Sequence, residues 1–241
     1  MAKPQSWNLY GYVQNNPIRF NDPAGHEVQV ADCRTMEECA PILEAIRGAV
    51  GRAAGARLSL QGFTRRQSFL DRVLRRENTG YRVIISGSVE SFRSLGANAG
   101  KLADLVASSQ VVTARIATQR PGSGGGLRMV AGGFSDVKTD PINVYVHPDP
   151  SSFDRDTVGF INGSFGRIPG ASRDETMAHE LLGHTWSYVI QGEPEGSLEY
   201  RRQSVLAEDE VRRTDPERGL KIRHGEEVLT GNDLIRLRGG R

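Results

Sequence analysis

The stretch that decides the fold and the chemistry of this chain runs from Ser172 to Gly192 and reads SRDETMAHELLGHTWSYVIQG. Ser172 followed three residues later by Glu175 is the pattern of a helix N-terminal capping box, and Gly192 with Pro194 beyond it is typical of a helix end. The sequence therefore predicts a helix over 173–191. Because its body is mostly apolar, we expect this helix to be central and buried.

The middle of the predicted helix carries an imidazole, a carboxylate and a second imidazole, at His179, Glu180 and His184. Neutral imidazoles bind zinc, and a neighbouring carboxylate is a base for a zinc-bound water. The usual zinc-hydrolase motif spaces its histidines four residues apart. Here they are five apart, so an ideal α-helix would turn the second ring roughly 140° away from the first. We expect a one-residue bulge at Gly183 to turn His184 back.

A catalytic zinc ion has three protein ligands and one open position, so the third ligand should come from another segment. The helical-looking segment 204–213 offers Glu208 and Glu210, which cannot face the same way on a helix. We predict His179, His184 and Glu208 as the zinc ligands, with Glu210 as the alternate to Glu208. Glu180 is then the general base. The competing interpretation of the acidic cluster at 208–210 is a solvated helix face whose carboxylates pair with Arg212 and Arg213.

Further side chains are candidates for contacts with an oxyanion or a substrate, and their spacing does not choose among them. They are Tyr188, Tyr200, Arg223, His224 and His147. The strand-like segment Ile142 to Val146 is our candidate for the sheet edge that accepts an extended substrate.

The six residues from His179 to His184 resemble the zinc motif of dipeptidyl peptidase III. In that family the two histidines are ligands, the glutamate is catalytic, and a later segment with two glutamates supplies the third ligand. Glu208 to Glu210 resembles that segment loosely. A chain of 241 residues is too short for the two-domain body of that enzyme. The resemblance therefore implies the same site chemistry on a different scaffold.

A second resemblance lies near the N-terminus, where Trp7 to Ile18 reads WNLYGYVQNNPI and Asp-Pro-Ala-Gly follows at Asp22 to Gly25. This pattern is similar to the end of the core of rearrangement hotspot (Rhs) proteins, where a shell of YD repeats is followed by a variable C-terminal toxin domain. Several Rhs toxin tips resemble this chain in combining HELLGH, an acidic segment and a Gly-Leu-x-x-Arg stretch, here Gly219 to Arg223. The resemblance implies an Rhs-like arm at 1–26 and a toxin domain at 27–241.

The two resemblances together imply a zinc metallopeptidase toxin, the effector tip of an Rhs-type protein. Such an effector is secreted by a dedicated export machine without a signal peptide and acts inside a target cell. Its implied partners are a protein or peptide substrate, the Rhs shell and a cognate immunity protein. Two alternatives stay open: a zinc hydrolase that acts on a non-peptide bond, and a non-enzymatic binding toxin with structural zinc.

The composition limits other functions. With 31 basic and 29 acidic residues, the net charge gives no argument for nucleic acid as a partner. No apolar run is long enough for a transmembrane helix, and the N-terminus does not read as a signal peptide. Cys33 and Cys39 are expected to be free thiols, with a short-range disulfide as the alternative.

Hydrophobic periodicity predicts helices and strands of an α+β fold. The resemblance to zinc peptidases implies that this fold is zincin-like, with a small antiparallel sheet beside the central zinc-binding helix. The Gly-rich stretch 121–126 is expected to be a hairpin connection or a flap. The other predicted helices cover 36–51, 64–77 and about 101–107, and the predicted strands cover 81–86, 111–118, 127–131, 142–147 and 157–161.

Overall fold

The computed structural model describes residues 27–64, 79–122, 124–152, 158–161, 164–167, 170–213, 220–221, 223–224 and 227–228. Over these residues the fold is α+β, as predicted, with helices packed on a mixed sheet. The predicted arm at 1–26 lies outside the described residues. So does the predicted helix over 64–77, apart from Thr64, which ends a strand. None of the helices within the described ranges is long and apolar enough to cross a membrane.

Six α-helical segments are present in the described residues. They are α1 (Met36–Val50), α2 (Arg52–Gly55), α3 (Val89–Arg93), α4 (Ala97–Ala107), α5 (Arg173–Met177) and α6 (Leu198–Arg212), and a 3₁₀ turn spans Pro150–Ser152. After α5 the chain continues as π-helix over Ala178–Thr185 and Ser187–Gln191. We call the whole stretch from Arg173 to Gln191 the site helix. Its predicted bounds are confirmed.

The strands form one large sheet and several small ones. The large sheet contains β1 (Val28–Val30), β2 (Leu58–Thr64), β3 (Thr79–Ile85), β4 (Val112–Ile116), β7 (Gly133–Asp136) and β8 (Ile142–Val146). The remaining strands are β5 (Gln119–Pro121), β6 (Leu127–Met129), β9 (Val158–Ile161), β10 (Ser164–Arg167), β11 (Leu220–Lys221), β12 (Arg223–His224) and β13 (Glu227–Val228). β5 and β6 pair across the Gly-rich stretch, which confirms the predicted hairpin connection.

The expectation of a small antiparallel sheet beside the site helix is wrong. The strand order of the large sheet is β2-β3-β1-β4-β8-β7, and β4 pairs in parallel with both β1 and β8. Parallel neighbours need a long crossover, and α1 to α4 lie on the path between β1 and β4. The antiparallel pairs are at the flanks, where β7 forms one edge.

The helices bury one apolar cluster against the large sheet. Ile46 of α1, Leu102 of α4 and Ile142 of β8 belong to this cluster, together with Leu181 and Leu182 of the site helix. All five side chains are buried. The site helix is therefore central, as its apolar body predicts, and its backbone is held from several sides.

Cys33 and Cys39 form a disulfide, so the expectation of two free thiols is wrong. Thr35 caps α1 by accepting a hydrogen bond from the backbone N–H of Glu38. The helix start turns the chain so that the two cysteine Cα atoms lie 5.2 Å apart, within the usual range for a disulfide. The bond ties the loop after β1 to the first turns of α1.

Lys101 of α4 lies between the site helix and α6. Its Nζ donates a hydrogen bond of 2.8 Å to Oε1 of Gln203 and lies 4.8 Å from the ring centre of Trp186. Burial lowers the pKa of the Lys101 ammonium to about 8, and the carboxylates of Glu210 and Glu199 only partly oppose this effect. The folded state therefore holds this charge at a cost in stability.

We expect Lys101→Met to be more stable than the wild type at pH 7, with the advantage shrinking as the pH rises from about 8 to 10.5. In that window the folded wild type has released the lysine proton and the unfolded chain still binds it, so the wild type gains stability. Between pH 7 and pH 10, the stability advantage of Lys101→Met over the wild type should shrink by about 2 kcal/mol. Urea unfolding of both proteins at the two pH values measures this difference. Lys138→Met is the control, because the Lys138 ammonium donates a hydrogen bond to the Glu195 carboxylate, which raises the pKa of Lys138. An advantage of Lys101→Met that is equal at both pH values would contradict the buried-charge argument.

Candidate metal centre

The backbone distortion predicted at Gly183 is confirmed and extends over the whole motif. Residues Ala178–Thr185 are π-helical, so residues five apart lie about one turn apart instead of on different faces. The rings of His179 and His184 are 4.6 Å apart between centres and perpendicular to each other. The unusual spacing of the two histidines is therefore compensated by the local geometry of the helix.

Helix α6 runs along the site helix and presents every fourth residue to it. Glu208 lies opposite His179, with 3.3 Å between its Oε1 and the imidazole Nδ1. Two turns earlier, the ring of Tyr200 stacks on His184 at 4.2 Å between centres and 19° between planes. Ser197 caps α6 by accepting from the backbone N–H of Tyr200, which fixes the start of this face.

The same face of α6 continues to Arg212, which forms an ion pair of 2.9 Å with Glu175. Both side chains are fully buried. Glu175 is also the third residue of the predicted capping box, which is confirmed: its backbone N–H donates to Oγ of Ser172, and its carboxylate accepts from the Ser172 backbone N–H. The ion pair thus links α6 to the N-terminus of the site helix.

The Glu180 side chain contacts strand β7, whereas the His179 and His184 rings contact α6. Oγ of Ser135 lies 2.6 Å from Oε2 of Glu180 and 2.9 Å from its carbonyl oxygen. Glu180 lies against Gly133, where there is no room for a side chain. A Cβ at position 133 would be 2.6 Å from the Glu180 Cγ. Oε1 of Glu180 is 4.0 Å from Nε2 of His179. Burial raises the pKa of the Glu180 carboxyl, while His179 and the Ser135 hydrogen bond act in the opposite direction.

The structure separates the two predicted candidates for the carboxylate ligand. Glu208 is buried against His179, whereas Glu210 pairs with Arg213 at 3.1 Å and keeps 29% of its side chain exposed. Residues two positions apart lie on different faces of an α-helix, which explains why Glu208 and Glu210 have different surroundings. Glu208 is therefore the carboxylate that α6 brings to the histidines.

The other predicted contact residues have different locations. Tyr188 packs against the hydrophobic core, and the ring of His147 is bonded to the backbone of Asp149. Arg223 and His224 form β12, of which the structure describes the backbone pairing with β13. Their side chains lie outside the described part of the chain. Of the aromatic candidates, Tyr200 is the one placed beside the histidines.

The strand chosen from sequence as the substrate edge is an interior strand. Ile142–Val146 pairs with β4 on one side and with β7 on the other, so both of its hydrogen-bonding edges are used. The edge strand on this side of the large sheet is β7. Sequence reasoning missed β7 because Gly133–Asp136 has neither β-branched residues nor a clear alternation of apolar and polar side chains. With it, Gly133 and Ser135 were missed as neighbours of Glu180.

The donor chemistry of this cluster fits a zinc ion, because two imidazoles and a buried carboxylate come together on two packed helices. The side chains of His179, His184 and Glu208 do not point at one common position. Within the described residues, no group of three or more His, Cys, Asp or Glu side chains is arranged to hold a metal ion. A second carboxylate, Glu180, lies beside the other ring nitrogen of His179.

Gly183 is required where the two helices approach most closely, because a Cβ there would lie 2.3 Å from the Cα of Ser204. We expect Gly183→Ala to destabilise the fold by about 1–3 kcal/mol, since the clash is with backbone. We also expect weaker zinc binding, because α6 carries Glu208. Urea unfolding and a zinc titration with a chromophoric chelator measure both effects.

Gly100→Ala is the matched control in α4, where no heavy atom among the described residues lies within 4 Å of the added Cβ. It should be neutral or stabilising by up to about 1 kcal/mol, because alanine favours helix. A Gly183→Ala protein that is as stable as the Gly100→Ala protein would contradict the close packing.

The cluster therefore groups side chains of the kind that bind cations, the two imidazoles and Glu208, with a second carboxylate, Glu180, beside His179. The two elements that supply these groups, the site helix and α6, are fixed by buried contacts. Comparison of the chain with protein-family models, with curated proteins and with solved structures finds no match.

Proposed function

We propose that this chain is a zinc-dependent peptidase toxin, the C-terminal effector tip of an Rhs-type protein on a zincin-like scaffold. The observation that carries the proposal is that His184, Glu180 and Glu208 all lie against His179, despite the five-residue offset of the histidines. The π-helical backbone of the site helix brings the second imidazole next to the first, and π-helical turns are frequent at functional sites. The Rhs-like signature near the N-terminus supports the toxin part of the proposal.

In this proposal His179, His184 and Glu208 would hold the zinc ion. The chemistry that such an ion would supply there is activation of a water and polarisation of the scissile carbonyl. Glu180 takes a proton from the attacking water and then delivers it to the amine that leaves. Its burial keeps bulk water away from the proton, and its contact with β7 keeps it close to His179.

A peptide is the favoured substrate because the sheet ends beside the candidate base. β7 has no partner on its outer side among the described strands, and its residue Ser135 contacts Glu180. An exposed edge of this kind accepts an extended peptide as an additional strand. The peptide would then run past Glu180. This placement favours peptide hydrolysis over the alternative of a non-peptide bond.

The biological setting of the proposal is delivery of the toxin into a target cell by a dedicated export machine, with the Rhs shell as carrier. A cognate immunity protein would protect the producing cell by covering the site. The export machine, the Rhs shell and the immunity protein are all implied by the Rhs resemblance.

The test is a search for new protein N-termini in cells that express residues 1–241. The wild-type chain should be toxic and should generate new N-termini that are absent from cells expressing Glu180→Ala. Toxicity without new N-termini, abolished by Glu180→Ala, would replace peptide hydrolysis by another hydrolytic reaction. Equal toxicity of both proteins would show a binding toxin and overturn the proposal.

A further inference from the structure

We propose that Ser135 is a positioning residue that holds the Glu180 carboxylate so that one chosen oxygen, Oε1, acts as the base. The inference rests on the proposed function, because it assigns a task within that reaction. Ser135 does not touch a reacting atom in this proposal. It acts through Glu180.

The two oxygens of the Glu180 carboxylate have different surroundings. Oε2 lies 2.6 Å from the Ser135 hydroxyl, and Oε1 lies 4.0 Å from Nε2 of His179. The hydroxyl has a single hydrogen, and a charged carboxylate accepts it more strongly than the carbonyl oxygen of Glu180 at 2.9 Å. The hydrogen bond therefore occupies Oε2 and leaves Oε1 turned toward the histidine.

Strand β7 provides both a donor and a space for this arrangement. Successive side chains of a strand alternate between faces, so positions 133 and 135 lie on the same face. Gly133 leaves room for the carboxylate, since a Cβ would be 2.7 Å from the Glu180 Oε1. Ser135 is buried, which protects its hydrogen bond from competition with water. A side chain at 133 would push Oε1 aside, and loss of the hydroxyl at 135 would release Oε2.

The consequence for the reaction is directional. One proton of the attacking water goes to Oε1 as the water oxygen bonds to the carbonyl carbon. The C–N bond then breaks, its electron pair stays on the nitrogen, and the same proton passes from Oε1 to that nitrogen. With Oε2 fixed, the carboxylate cannot rotate and lose its alignment between these two transfers. Misplacement of a catalytic group by about 1 Å can cost on the order of 10²-fold in rate.

The experiment compares Ser135→Ala, which removes the hydroxyl, with Ser135→Thr, which keeps it. Initial rates on fluorescein-labelled casein separate kcat from KM, and a chromophoric chelator measures zinc affinity. We expect Ser135→Ala to lower kcat about 10- to 100-fold without changing KM or zinc affinity, and Ser135→Thr to recover most of kcat. Ser187→Ala is the control, because this buried hydroxyl of the site helix bonds to Gln191 instead.

A second measurement tests the contact without any activity. Ser135→Ala should lower the Tm by about 3–6 °C in the wild-type background and by clearly less in the Glu180→Ala background, because the two groups then no longer interact. Equal shifts in both backgrounds would overturn the inference. Ser135→Cys, close in size to serine, replaces Ser135→Ala if the latter does not fold, with the same expected direction.

The outcomes separate this inference from the function. If Ser135→Ala keeps the wild-type kcat while Glu180→Ala is inactive, the positioning role is wrong and the peptidase remains. A parallel loss of zinc affinity in Ser135→Ala would show a structural role and also overturn the inference. If Glu180→Ala cleaves casein as fast as the wild type, the proposed function itself fails.

Discussion

Glu180→Ala should keep its zinc and its fold but lose cleavage of a protein substrate, with kcat lower by about 10²–10⁴-fold. The carboxylate is buried between His179 and Ser135, and neither of these two residues belongs to α6. Removing it should therefore take away the proposed proton acceptor and leave the proposed zinc ligands in place. Initial rates on labelled casein and zinc content per chain measure the two parts of this prediction.

The control is Glu210→Ala, which removes a carboxylate of similar charge from α6. Glu210 is paired with Arg213 at the surface and should be dispensable for both cleavage and zinc binding. A Glu180→Ala protein with full activity would leave the mechanism without its base. A Glu210→Ala protein that loses zinc would instead return the ligand role to the alternate carboxylate.

Arg212→Met should destabilise the fold by about 3–5 kcal/mol, because it leaves the carboxylate of Glu175 buried without its 2.9 Å ion pair. The neighbouring Arg213→Met is the matched control, since the Arg213–Glu210 pair is partly exposed and such pairs contribute about 0–1 kcal/mol. Urea unfolding of the two variants measures the difference.

A double variant shows whether the buried charge is the cause. Arg212→Met with Glu175→Gln removes the charge but keeps a side chain that can serve in the capping box. It should recover a large part of the lost stability. A double variant that is less stable than Arg212→Met alone would mean that the lost packing of Arg212, and not an unpaired charge, causes the effect.

The local features of the site could be predicted because they depend on short-range rules. The capping box at Ser172 and the helix end at Gly192 follow from backbone chemistry within a few residues. The distortion at Gly183 is predicted from the five-residue spacing of the histidines, and the structure extends it over Ala178–Thr185. Glu208 could be preferred to Glu210 only on a guess about which face of α6 meets the site helix. The structure supplies the reason, which is that Glu208 lies two helical turns beyond Tyr200 on the face that packs there.

The parts of the fold that were missed depend on distant partners. The parallel pairing of β4 with β1 and β8 is fixed by crossovers and not by any strand's own pattern. Gly133 and Ser135 acquire their roles only when β7 is placed against the site helix. The Cys33–Cys39 disulfide depends on the turn that Thr35 starts, which the cysteine spacing does not show.

The measurement that tests the central claim most directly is the zinc content of the purified chain and of its His179→Ala and His184→Ala variants. The account predicts about one zinc ion per chain for the wild type, as expected for a catalytic site, and a large loss of affinity in both variants. Two histidines separated by five residues must then act on the same ion. A wild type that binds no zinc, or histidine variants that bind it as tightly as the wild type, would contradict the account.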